Sequence, residues 1–177
     1  LVRSTFNLGP EQDWRYTWLQ PLPNVEAPPA KFKIDPYYSK FTFAREFTVL
    51  GRTASDEAML KANDTIRKMF PYRHDILKAL IADGARLVVL GPDESLSDLP
   101  EFKKLKGERP DHMARLLDYT PELKLMVVGQ ENVLADLDND RYATVCQVVR
   151  VFAKALYHVT AKRPVDPNWD DPRRRAQ

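Results

Sequence analysis

The chain has 177 residues, with 27 Lys or Arg against 25 Asp or Glu and a formal net charge of +2. That balance supplies no electrostatic drive toward nucleic acid or an anionic membrane, and no apolar run approaches the roughly 20 residues of a membrane span. Hydrophobic residues at 44% and charged residues at 29% describe an ordinary globular composition, with length enough for one cored domain and an arm.

Residues 1–36 differ from the rest. They hold Pro10, Pro21, Pro23, Pro28, Pro29 and Pro36, six of the fourteen prolines. Proline removes backbone donors and fixes φ, so an extended arm is expected. A disordered linker is poor in aromatics, but this segment carries Trp14, Tyr16 and Trp18. On an extended backbone these alternate positions share one face. The three rings must cover something, either the chain's own core or a protein partner. Leu1 is not Met, which fits a trimmed or processed amino terminus, a removed signal peptide being one explanation.

A domain is expected over 37–163. Phe41 to Arg52 alternates enough for one or two strands, with Phe47, Val49 and Leu50 prominent. Ser55 is a good N-cap, and Asp56 and Glu57 suit the first turn of the helix after it. Met59, Ala62, Ile66 and Met69 recur at helical spacing until Pro71 interrupts. Ile76, Leu77, Leu80 and Ile81 form the stripe of a second helix, which Gly84 closes in a left-handed conformation. Arg86 to Gly91 reads as a buried strand. Residues 92–100 read as an acidic loop, and 101–121 as a charged surface insertion with a short helix near His112 to Leu117. Leu123 to Val128 reads as another strand. A last helix is expected over 142–160, burying Val145, Val148, Val149, Phe152, Leu156 and Val159. Cys146, the only cysteine, falls in that helix. One thiol makes no internal disulfide, and apolar neighbours predict packing rather than reactivity. The tail, 164–177, looks irregular and basic, ending in Arg173-Arg174-Arg175. The order is that of an α+β fold, few strands with helices packed on them.

Familiar catalytic constellations are missing. No two of His74, His112 and His158 lie three or four residues apart, so no local helical zinc pair exists. Asp136, Asp138 and Asp140 imitate the start of a calcium loop, but Arg141 and Gln147 stand where the loop needs glycine and a bidentate carboxylate. They read as a solvated turn, with Asp140 near the start of the last helix. No nucleophile elbow, phosphate-binding glycine loop or dinucleotide fingerprint appears. Nothing in the spacing of Glu94, Asp98, Glu101 and Glu131 singles out an acid–base pair.

A zinc peptidase helix places two histidines one turn apart with a glutamate after the first. In the last helix, Arg150-Val151-Phe152-Ala153-Lys154 has the frame of such a motif without its chemistry. Further segments match in order and approximate spacing: Ile34-Asp35-Pro36-Tyr37-Tyr38; Ser55-Asp56 then Ala58; Arg73-His74-Asp75-Ile76-Leu77 leading to Gly84; Ser97-Asp98-Leu99-Pro100-Glu101; and Gly129-Gln130-Glu131-Asn132-Val133-Leu134 followed by Asp140, Tyr142 and Thr144. With them the chain, over 34–170, resembles a family of bacterial secreted zincin-like proteins of the metallopeptidase type that carry a His-Glu-Phe-Ala-His helix. The resemblance implies a small zincin-like α+β domain, a few-stranded sheet packed against three main helices. It also implies that Arg150 and Lys154 stand at the zinc-ligand positions and Val151 at the general-base position.

Arginine and lysine have no lone pair to offer zinc at neutral pH. The expectation is therefore a non-catalytic module with neither metal nor cofactor. It would serve as an accessory subunit of a larger protein complex, periplasmic or extracellular and attached to a membrane assembly, and would bind its partner through Trp14, Tyr16 and Trp18. Arg150 and Lys154 are expected to be solvated or paired with Glu131 or Asp98 in the former cleft. Two alternatives stay open: a hydrolase with a non-local site, and a binder of a small anion between the two cations.

Overall fold

The computed structural model describes residues 23–71, 74–103, 114–140 and 145–161. Trp14, Tyr16, Trp18, Arg73, His112, Tyr142, Thr144 and the basic tail lie outside the described residues.

The alternation after Ser39 becomes a hairpin of β1 (Lys40–Ala44) and β2 (Phe47–Gly51), with Phe41 opposite Leu50 and Phe43 opposite Thr48. The two-residue turn needs positive φ at both positions to match strand twist. Arg45 and Glu46 supply it at 51° and 73°, conformations that cost a residue with a Cβ about 1 kcal/mol each. The Arg45 guanidinium donates to the carbonyls of Phe70 and Pro71, both at 3.2 Å, which pins the strained turn to the end of the next helix.

That helix, α1 (Asp56–Met69), starts where Ser55 Oγ accepts from Ala58 N at 3.2 Å. It stops before Pro71, as the restriction on a pre-proline residue requires. α2 (His74–Asp83) ends on Gly84 at φ 84°. There Gly84 N donates to Ile81 O and Ala85 N to Leu80 O, the paired bonds of a left-handed glycine cap. β3 (Arg86–Leu90) then lies parallel to β2, and β4 (Leu125–Gly129) parallel to β3. The sheet order is β1-β2-β3-β4, and the fold is α+β. α3 (Pro100–Lys103), α4 (Gln130–Leu134) and α5 (Gln147–Ala161) complete the described helices.

Both sheet faces are covered, which is why the strands read as apolar runs. On one face Phe47, Val49, Leu87, Val89, Met126 and Val128 meet α1, α2 and α5. On the other, Phe41, Leu50, Val88, Leu90, Leu125 and Val127 meet Tyr38, Leu96, Leu99 and Phe102. Within the segment expected to be an arm, Glu26 pairs with Phe41 as an isolated bridge, and Phe32 stacks on Phe41 with ring centroids 5.8 Å apart.

Several expectations change. Residues 114–117 are not helical. Leu117 forms an antiparallel bridge to Val127, exchanging two hydrogen bonds of 3.0 Å. Leu116 packs toward one core cluster and Leu117 toward the other, the period-2 behaviour of a strand edge. In α5 the buried stripe is Val148, Val151, Phe152, Ala155 and Val159, with Leu156 at its margin, while Val145 and Val149 are 50% and 45% exposed. The helix carries apolar residues around more than one face, so periodicity alone did not choose between them. Cys146 precedes the helix and is exposed, which removes its packing role. Asp140 is buried, not solvated, and accepts from Asn132 Nδ2 at 2.7 Å. Asn132 Oδ1 in turn accepts from Gln147 N at 2.7 Å, so α4 caps the first turn of α5.

Two stability outcomes follow. Phe152 is fully buried with its ring 5.1 Å from Phe47 and 5.8 Å from Phe70. Phe152→Ala should lower the unfolding free energy by about 3–5 kcal/mol in urea titration. Buried Tyr38 donates to Glu101 at 2.7 Å, and burial first, then the Glu101 charge, pushes its pKa far above the ordinary 10.0. The fold thus holds the phenol proton more tightly than the unfolded chain does. That stabilisation is complete below about pH 10 and is lost as pH rises beyond it. The urea midpoint should fall above about pH 10, and fall less steeply in Tyr38→Phe.

Candidate functional site

Arg150 and Lys154 lie on the exposed flank of α5. Arg150 Nη2 sits 3.3 Å from Asp118 Oδ2, and Lys154 Nζ bonds the same oxygen. Arg150 Nη1 also reaches Gln147 Oε1 at 3.5 Å. The Arg150 and Lys154 side chains are 40% and 52% exposed, so solvent screens both pairs. One carboxylate thus serves two cations.

The expected partners lie elsewhere. Glu131 pairs with Arg115, and Asp98 caps the turn at Ser95. Asp118 escaped the sequence reading because it is 32 residues from Arg150, and only folding brings them together. Asp118 lies between the two cations and pairs with both. Val151 is 0% exposed, inside the cluster shared with the sheet. A side chain at that position faces hydrocarbon and has no water to activate.

A second constellation gathers at the carboxyl ends of β2, β3 and β4, where open parallel sheets commonly hold ligands. The Arg115 guanidinium straddles Glu131, with Nε to Oε1 and Nη2 to Oε2 both at 2.6 Å. It also donates to the carbonyls of Gly91 at 3.0 Å, Pro92 at 3.1 Å and Glu94. Its pKa is raised above the ordinary value, first by the hydrogen bonds to Glu131. Gly129 permits this closeness, and Gly91 a close approach of the β3 loop to Thr53 and Ala54. A Cβ on Gly129 would lie 2.1 Å from Glu131 Oε1, and one on Gly91 would lie 2.7 Å from the Thr53 carbonyl carbon.

Beside this clamp opens a cavity of about 450 Å³, lined by Tyr37, Arg52, Thr53, Asp93, Glu94 and Asp98 among others. Glu94 is buried, accepting from Gly91 N at 2.7 Å and from the Tyr37 hydroxyl at 3.3 Å. Burial leads the causes that raise the Tyr37 pKa. The Arg52 guanidinium lies over the Tyr37 ring, 4.7 Å from its centroid, and Lys103 Nζ lies 5.6 Å from it.

The four carboxylates weighed as acid–base candidates fall into three settings. Glu94 and Asp98 line the cavity, Glu131 is clamped, and Glu101 accepts from Tyr38. Among the described residues no three His, Cys, Asp or Glu side chains gather as a metal ion requires. Nor is any described helix long and apolar enough to cross a membrane. Comparison with models of known protein families, with curated proteins and with solved structures finds no match.

The two ion-pair sites should differ sharply in worth. Arg115 and Glu131 are 20% and 16% exposed in their side chains, so Glu131→Gln strands a largely buried cation and should cost about 3 kcal/mol. Asp118→Asn, on the wet flank of α5, should cost less than about 1 kcal/mol. Urea titration of the two variants measures the contrast.

Proposed function

We propose that this chain is a zincin-like domain without peptidase chemistry, used as a binding or structural module of a larger protein assembly. One observation carries the reading. The two α5 positions where zinc donors would stand hold Arg150 and Lys154, both engaged by Asp118, and the intervening base position holds Val151 inside the core. Protonated nitrogen offers no lone pair, and two cations repel a divalent ion. The zincin-like frame and the periplasmic or extracellular setting rest on the sequence resemblance alone.

Attachment to the assembly is assigned to the amino-terminal segment with Trp14, Tyr16 and Trp18. Extended aromatic segments bury much surface per residue and suit lasting association. An accessory role beside a membrane complex fits this arrangement.

After purification with zinc present and then dialysis, the protein should retain far less than one zinc per chain by elemental analysis, and should cleave no casein. One retained zinc per chain, or cleavage that Lys154→Ala abolishes, refutes the proposal. Trp14→Ala with Trp18→Ala should release the chain from the complex it co-purifies with from its native source, without shifting its urea midpoint. Unchanged association of that variant removes the role given to the arm.

A further inference from the structure

The lining of the cavity at the ends of β2 and β3 carries a surplus of negative charge, which Arg115, near Asp93 and Glu94, and Lys103, 5.6 Å from the Tyr37 ring, offset only in part. Three carboxylates line it, Asp93, Glu94 and Asp98, against one cation, Arg52. Glu94 is satisfied by neutral donors, Gly91 N and the Tyr37 hydroxyl. Asp98 is satisfied by Ser95 N at 2.8 Å and Ser95 Oγ at 3.0 Å. Asp93 is exposed and makes no hydrogen bond or ion pair among the described residues. Arg52 pairs with none of the three, and its guanidinium instead rests over Tyr37. The wall thus combines an aromatic face with surrounding negative potential, the combination that selects organic cations. The Tyr37 hydroxyl donates to a buried carboxylate, which enriches the ring further. A compact metal ion does not suit the cavity, because no three of its carboxylates converge.

We propose that this cavity is a binding site for an organic cation of the guanidinium or alkylammonium class, and that Arg52 occupies the Tyr37 face as an internal stand-in for the guest. A volume of about 450 Å³ admits an arginine or lysine side chain. The guest's charge meets Asp93 and Asp98, and its planar or methylene portion meets Tyr37 once Arg52 turns out toward solvent. Arg52 is exposed, so that rotation gives up only its contact with Tyr37, which the guest's cation replaces. The site stands apart from α5, and its success or failure is independent of what α5 does.

The test uses the full chain, with N-acetylarginine methylamide and its neutral ureido counterpart, N-acetylcitrulline methylamide, followed by two-dimensional NMR. The arginine derivative should bind saturably with a dissociation constant of about a millimolar, shifting the amides around Gly91 and Asp93, and the citrulline derivative should not. Asp93→Asn should weaken binding by about two- to fivefold. Arg52→Ala, by vacating the ring, should strengthen it by about two- to fivefold. A pentapeptide with central arginine that binds more tightly than the free derivative identifies a protein's basic side chain as the guest, whereas equal affinity identifies a free cation. Equal response to both derivatives, or unchanged or weakened affinity in Arg52→Ala, overturns the proposal.

Discussion

The bidentate clamp of Arg115 on Glu131 ties together parts of the chain that the sheet alone does not join. Arg115 lies two residues before the edge bridge at Leu117, Glu131 opens α4 after β4, and the accepting carbonyls belong to the loop after β3. Removing these charges from water is expensive, and the attraction repays it only when geometry is good and the remaining lone pairs are met. Here both carboxylate oxygens and three carbonyls receive the guanidinium. Gly129 is a condition for it, since a Cβ there would strike the Glu131 carboxylate, while Gly91 lets the loop after β3 pass close to Thr53 and Ala54. The cavity beside the clamp inherits its shape from the loop that Arg115 holds.

Magnitudes place α5 as scaffold before anything else. Burying Val151, Phe152 and the neighbouring apolar side chains contributes about 1.5–3 kcal/mol for each large one. The wet pairs of Arg150 and Lys154 with Asp118 contribute less than about 1 kcal/mol. The helix is held by its inner face, and its cationic flank is free of structural duty. Substitutions on that flank should therefore affect the fold little.

Local signals were legible where one residue type meets one backbone need. Ser55 caps α1 because a hydroxyl can accept from the third amide on, and Gly84 closes α2 because left-handed φ suits it. The hairpin was visible only as alternation, since Arg45 and Glu46 are not turn formers and take positive φ under tertiary restraint from Phe70 and Pro71. The edge segment at Leu117 was mistaken for helix because a few apolar residues among charges fit either period. Val149 is expected inside because α5 is apolar on more than one side, and Val145 because the sequence starts the helix at 142 rather than at Gln147. The cavity had no sequence signature at all, because Tyr37, Arg52 and Glu94 come from three separate loops.

The α+β order, the capped helices, the apolar strands and the absence of zinc donors at positions 150 and 154 were all settled by residue identity, for each depends on neighbours within a few positions or on chemistry that no fold can alter. Tertiary structure alone decided which face of α5 is buried, that Asp118 serves both cations, that Arg115 claims Glu131, and that an acidic, aromatic-walled cavity opens beyond β2 and β3. Those outcomes depend on contacts between residues far apart in the chain, and periodicity carries no record of such pairings until the sheet brings them within a few ångströms.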